Sequence, residues 1–243
     1  MSVQITWYGQ ATTTIVSQGK VLLIDPWFSG NPVCPVKHKE LKHVDIVAVT
    51  HGHFDHFGDV LEVCRRFKAK LISTPEIAWY ADGKGIPRGT QALPLGYGGK
   101  LKVEGFTISM CPALHPSALF GDEWATQKQF IPDGGPASYV VTTPEGKVVY
   151  HAGDTALFSD MKIIGDRFHP ELGLLPICGR FNMDTTDASV AAEWLRLKFI
   201  IPIHYNTNPD LAADPKELVD LLRSKEIAPE VVILNPGDSY VLE

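Results

Sequence analysis

The stretch Val44-Asp45-Ile46-Val47-Ala48-Val49, followed at once by Thr50-His51-Gly52-His53-Phe54-Asp55-His56, decides how this chain is read. The first part is a near-continuous apolar run, as expected of a strand buried on both faces, and the second is the loop leaving its C-terminal end. Loops at that end of a sheet commonly carry the site. Clustered imidazoles gain nothing on a solvated surface, and in a core each ring brings two nitrogens that need partners. A metal site accounts for them at least cost. His51 and His53, two apart, project to one side of an extended segment and can share an ion. Asp55 and His56 come where the chain turns toward a helix, which suits a second ion beside the first.

Working outward, three other apolar runs end in a metal-ligating residue. His115 follows 106–110, Asp154 follows 148–151 through Ala152-Gly153, and His204 follows 199–203. Any one of these has an ordinary structural explanation; together they complete two coordination spheres. His151, Asp25, Asp45 and Thr50 are candidates for the outer partners that orient ligating groups. Arg180, after another strand, is a candidate clamp for an anionic substrate. Tyr205, Asn206 and Thr207, next to His204, are candidates to meet substrate. Cys178 reads as a small buried thiol in preference to a group near the site.

The rest of the chain frames these loops. Residues 3–7, 12–16 and 21–24 read as a meander with a hairpin turn at 17–20, and 27–42, rich in Pro and Gly, reads as a long loop. Helices are expected at 59–67, 75–81, 156–164, 186–197 and 215–224. Strands are expected at 70–73, 91–94, 100–103, 106–112, 137–143, 148–151, 172–175, 200–203 and 231–234, with a loop over the site at 116–136. Both halves follow one plan, strands and then β-to-α units, without a sequence repeat, so 1–243 is expected to be a single domain.

Composition bounds the function. The 243 residues are 44% hydrophobic and 21% charged, ordinary for a globular protein, with a net charge of −6. That charge argues against a long nucleic acid as partner, yet leaves a small anionic substrate open, because divalent ions would invert the local field. Cys34, Cys64, Cys111 and Cys178 form no C-x-x-C pair. With no secretion signal and no membrane-spanning run, reduced thiols in a cytoplasmic protein are expected. Apolar loops such as Trp27-Phe28 and Trp124 leave a lid, plain core and a homo-oligomer interface all open.

The H-x-H-x-D-H run, with a further His, Asp and His at strand ends, resembles the metallo-β-lactamase superfamily. More narrowly, residues 50–56, 150–155 and 202–207 resemble the compact bacterial and archaeal metal-dependent hydrolases related to ascorbate-phosphate lactonase. The resemblance implies an α/β fold, the four-layer αββα sandwich with two facing sheets and helices outside. It further implies that His51, His53 and His115 hold one metal ion, that Asp55, His56 and His204 hold a second, and that Asp154 bridges them. The donor set suits Zn or Mn first and admits Ni or Fe. The expected function is hydrolysis of a small ester, lactone or phosphodiester by a metal-bridging hydroxide, with Asp55 also orienting the nucleophile. The alternative is a non-catalytic metal-binding or sensing domain of the same fold.

Overall fold

The computed structural model describes residues 2–225 and 229–243. The first half of the chain gives β1 (Val3–Trp7), β2 (Thr13–Ser17), β3 (Lys20–Ile24), β4 (Ile46–Ala48), α1 (Phe54–Phe57), α2 (Val60–Phe67), β5 (Lys70–Ser73), α3 (Pro75–Gly83) and β6 (Ala92–Pro94). The second gives β7 (Lys100–Val103), β8 (Phe106–Pro112), α4 (Asp122–Gln127), β9 (Ala137–Thr142), β10 (Val148–His151), α5 (Met161–Phe168) and β11 (Leu172–Pro176). It ends with α6 (Thr185–Leu195), β12 (Phe199–Ile203), α7 (Pro215–Ser224), β13 (Glu230–Val231) and β14 (Ser239–Leu242).

The strands assemble into two seven-stranded sheets, in the orders β14-β1-β2-β3-β4-β5-β6 and β13-β12-β11-β10-β9-β8-β7. Each sheet has an antiparallel part, β1-β2-β3 in one and β8-β9-β10 in the other. Each continues in parallel, through β3-β4-β5-β6 and β10-β11-β12-β13. Parallel neighbours need crossovers, and the helices supply most of them.

Side-chain alternation explains the layers. Leu22, Ile24, Ile46, Ala48 and Ile72 join an apolar cluster shared with Ile108, Met110 and Val149 of the other sheet. Leu23, Val47 and Leu71, one position out of step, pack instead with Val60, Val63, Ile77 and Ala78 of α2 and α3. A strand with apolar residues on both faces belongs in the middle of such a stack. The result is the expected order of helix, sheet, sheet and helix.

Three expectations shift. The helix expected at 156–164, α5, starts at Met161 because 155–156 is pinned to neighbouring loops: Ala156 N–H donates to Leu114 O, and Met183 N–H to Thr155 O. The 116–136 stretch contains α4, a helix with no buried residue and hence no apolar period to read. At the C-terminus the expected strand at 231–234 shrinks to Glu230–Val231, and β14, which pairs with β1, went unread because most of its residues are exposed or half-buried.

Candidate metal centre

The seven expected donors converge where the strands of both sheets end. The turn after β4 delivers His51, His53, Asp55 and His56, with the short helix α1 carrying the last two. Gln10, Asp25 and His204, each just beyond a strand, hold φ of 52°, 49° and 56°, a left-handed conformation that non-glycine residues seldom adopt. Strain of this kind persists only where surrounding structure enforces it, and it gathers at functional sites. Beside Asp154, Gly153 has φ +60° and no room for a side chain: a Cβ would lie 2.8 Å from Thr50 Cβ and 3.0 Å from Ala137 O.

The donor atoms of His51, His53 and His115 lie within 4.8 Å of one another, as do those of Asp55, His56 and His204 and those of His51, His56 and Asp154. Asp154 stands among four rings, its oxygens 3.1 Å from His204 Nε2, 3.3 Å from His56 Nε2, 3.6 Å from His115 Nε2 and 4.0 Å from His51 Nε2. His51 Nε2, His56 Nε2 and Asp154 Oδ1 are buried without a hydrogen-bond partner. Each such orphan costs about 1–3 kcal/mol, so their convergence marks a place that fits a divalent ion held by nitrogen and carboxylate donors.

Outer partners orient the rings. Asp25 Oδ2 lies 2.7 Å from His56 Nδ1 and accepts from Thr50 Oγ1 at 2.6 Å, while Asp25 Oδ1 accepts from Thr50 N–H at 2.7 Å. A carboxylate behind a ligating imidazole fixes its tautomer and orientation.

Charge prepares the rings differently. Burial first, and neighbouring imidazoles next, hold His51, His53 and His115 below the usual imidazole value, although Asp154 opposes this. His56 is buried too, but the carboxylates of Asp154, Asp55 and Asp25 overcome the burial and raise it well above that value. Burial likewise disfavours the charged form of His204, yet Asp154 and Asp55 raise it. Burial would raise the carboxyls of Asp55 and Asp154, but the imidazoles of His56 and His204 hold them low instead.

The remaining candidates divide. His151 is fully buried, with Nε2 3.0 Å from Ala11 O and Nδ1 accepting from Gly153 N–H, so it braces the turn that presents Asp154. Cys178 is a buried, free thiol; burial would raise its pKa, but the adjacent His204 imidazole brings it down. Three candidates are engaged elsewhere. Asp45 precedes β4 rather than following it, so it sits at the end away from the histidines, binding Lys20, His43 and Val21 N–H. Arg180 is exposed and paired with Asp210. Asn206 has φ of 56° and turns its Oδ1 to Ala213 N–H.

Two residues were missed. Gln10 is buried, and its Nε2 lies 2.7 Å from both Asp55 Oδ2 and His204 Nε2, while Thr207 Oγ1 donates to its Oε1. Asp133, also buried, accepts from Gly52 N–H at 2.8 Å and from Ser117 Oγ, which ties the 116–136 segment to the histidine turn. Gly52 permits that approach, since a Cβ there would come within 2.5 Å of Leu119 Cα.

A further cluster, His38, Asp59 and Glu62, has donors equally close together. Both of its ring nitrogens are already engaged, Nδ1 with Ser29 Oγ at 2.9 Å and Nε2 with Glu62 at 2.7 Å. It latches the 27–42 loop, because Asp59 also accepts from Phe28 and Ser29 N–H.

Above the donors lies a cavity of about 370 Å³, at the small end of ligand sites. With this geometry in view, the class is settled by comparison: residues 20–205 match the beta-lactamase superfamily domain, and the chain belongs to that family. A UPF0173 metal-dependent hydrolase of Methanopyrus kandleri is 42% identical over 237 residues, 98% of this chain and 99% of the relative. One from Methanosarcina barkeri is 39% identical over 243 residues, the full length of both chains. Igni18, described as a novel metallo hydrolase from the archaeon Ignicoccus hospitalis, superposes with a TM-score of 0.86 at 33% identity, covering 100% of this chain and 99% of its own.

Proposed function

We propose that this chain, a metal-dependent hydrolase of the metallo-β-lactamase fold, binds two divalent ions and hydrolyses a small ester, lactone or phosphodiester. His51, His53 and His115 hold one ion and Asp55, His56 and His204 the other, with Asp154 between them; Zn or Mn suits the donors best. The observation carrying this reading is the convergence of the buried, unpartnered His51 Nε2, His56 Nε2 and Asp154 Oδ1 beneath a substrate-sized cavity. Divalent ions held there would supply a water of lowered pKa and Lewis-acid polarisation of the bond under attack.

The chain's own residues do the rest. Asp55 lines the cavity, and Gln10 Nε2 donates to its Oδ2, so one carboxylate oxygen is steadied for orienting the attacking water. Asp25 keeps His56 in place from behind. The rings over the cavity limit bulk water around the reacting groups.

The test is elemental analysis of the purified protein, paired with hydrolysis of bis-p-nitrophenyl phosphate and a lactone panel before and after chelation. About two ions per chain are expected, with turnover that chelation abolishes and metal restores. Two ions with no turnover would favour the sensing-domain reading, and no metal under any loading condition would refute the assignment.

A further inference from the structure

The cavity over the metal centre is walled to hold an apolar group. Trp27, Phe54, Pro116, Phe120, Phe181 and Leu211 line it, and no Lys or Arg is among its lining residues. Trp27 meets Phe54 edge to face at 5.7 Å, and Phe54 meets Phe120 at 6.2 Å, so these rings form one continuous wall. Phe130 at 5.1 Å and Trp124 at 5.3 Å back Phe120. Phe54 and Phe181 nevertheless remain 56% exposed. Large apolar side chains gathered around a cavity and left open to water are covered when a ligand arrives.

Charge points the same way. Ions at the floor would neutralise charge on the reacting atom, but away from the donors a charge on the substrate's arm would meet the apolar wall, with only the neutral polar groups of Gln10, Thr207 and Asn208 beside it. Arg180, whose guanidinium lies 5.4 Å from the centre of the Phe181 ring, is absent from the cavity lining and pairs with Asp210 at the surface.

We infer that the substrate is an ester or lactone with an uncharged, apolar arm of about the size of one ring, and that substrates with an anionic arm, phosphorylated lactones included, are rejected. This rests on the hydrolase reading of the same centre. In the reaction, the oxygen of water bonds to the carbonyl carbon and the bond from that carbon to the arm's oxygen breaks. The arm's oxygen keeps the electron pair and takes up a proton, leaving an acid and an alcohol, joined in one molecule when the substrate is a lactone.

The test uses the metal-loaded protein with phenyl acetate and 3-carboxyphenyl acetate, whose leaving groups differ little in basicity. The expected kcat/KM is at least ~10-fold higher for phenyl acetate. Phe120→Ala should cut the preference for phenyl over methyl acetate by roughly tenfold, whereas Arg180→Ala should leave the discrimination against the carboxylate as it was. Calorimetric binding of acetophenone against 3-carboxyacetophenone reads the same preference without turnover, and tighter binding of acetophenone is expected. Equal or faster hydrolysis of the carboxylated ester would overturn the inference while leaving the hydrolase reading intact. Selective acetophenone binding with no turnover of these esters, of the lactone panel or of bis-p-nitrophenyl phosphate would uphold the apolar recess and defeat the hydrolase reading instead.

Discussion

The two halves of the proposed metal centre set the same side chain in opposite electrostatic surroundings. At the first position burial and neighbouring imidazoles hold the pKa values of His51, His53 and His115 below the usual imidazole value, although Asp154 opposes this. At the second, the carboxylates of Asp154 and Asp55, and for His56 that of Asp25 as well, push His56 and His204 above the usual imidazole value despite their burial. A ring with a lowered value is ready to ligate, whereas a ring with a raised value must give up its proton over a wider pH range before it can. On the proposed assignment, carboxylate placement, more than the count of histidines, would set how each position meets an ion.

Asp154 is the group common to both positions, so Asp154→Ala should do the most damage. Both ions should be lost at ordinary loading concentrations, and activity should fall by more than the ~10–100-fold typical of a lost outer partner; metal content and kcat together read this. Asp55→Ala should divide the positions, leaving the first loaded, emptying the second and removing most turnover. Activity within a factor of a few of the parent, with the metal still bound, would count against its role.

A smaller change should sharpen the contrast further. Asp25→Asn removes the carboxylate behind His56, and should weaken the second position by about 10–100-fold while barely changing the first, measured by competition with a chromophoric chelator. Smallest is the effect of pH. His56 and His204 have raised values, so an ion entering there must expel protons, and its affinity should fall as pH drops through those values. The first position has lowered values, so its rings are neutral above about 6.5 and its loading should release few protons there. Calorimetry in two buffers of different ionisation enthalpy would count the protons for each step; equal release at the two steps would contradict the contrast.

Much of this was legible because the donors stand where apolar runs end. The run 44–49 marks a buried strand, and four donors follow within one turn; 106–110, 148–151 and 199–203 mark others, each with its donor just beyond. What escaped had no such punctuation. Gln10 follows a glycine in a tight turn and carries no titratable group, while Asp133 reaches Gly52 from a segment with no period, a partner far off in sequence. Closeness in sequence also misled. Asn206 follows a donor by two residues, but its left-handed backbone turns the amide to another loop, and Arg180 finds Asp210. Asp45 shares a strand with the histidine turn yet occupies its other end.

The most direct test of the account is anomalous diffraction from crystals of the manganese- or zinc-loaded protein. Two peaks are expected, one among His51, His53 and His115 and one among Asp55, His56 and His204, with Asp154 between them. A single peak confined to one of these groups, or density at His38, Asp59 and Glu62 in place of either, would contradict it.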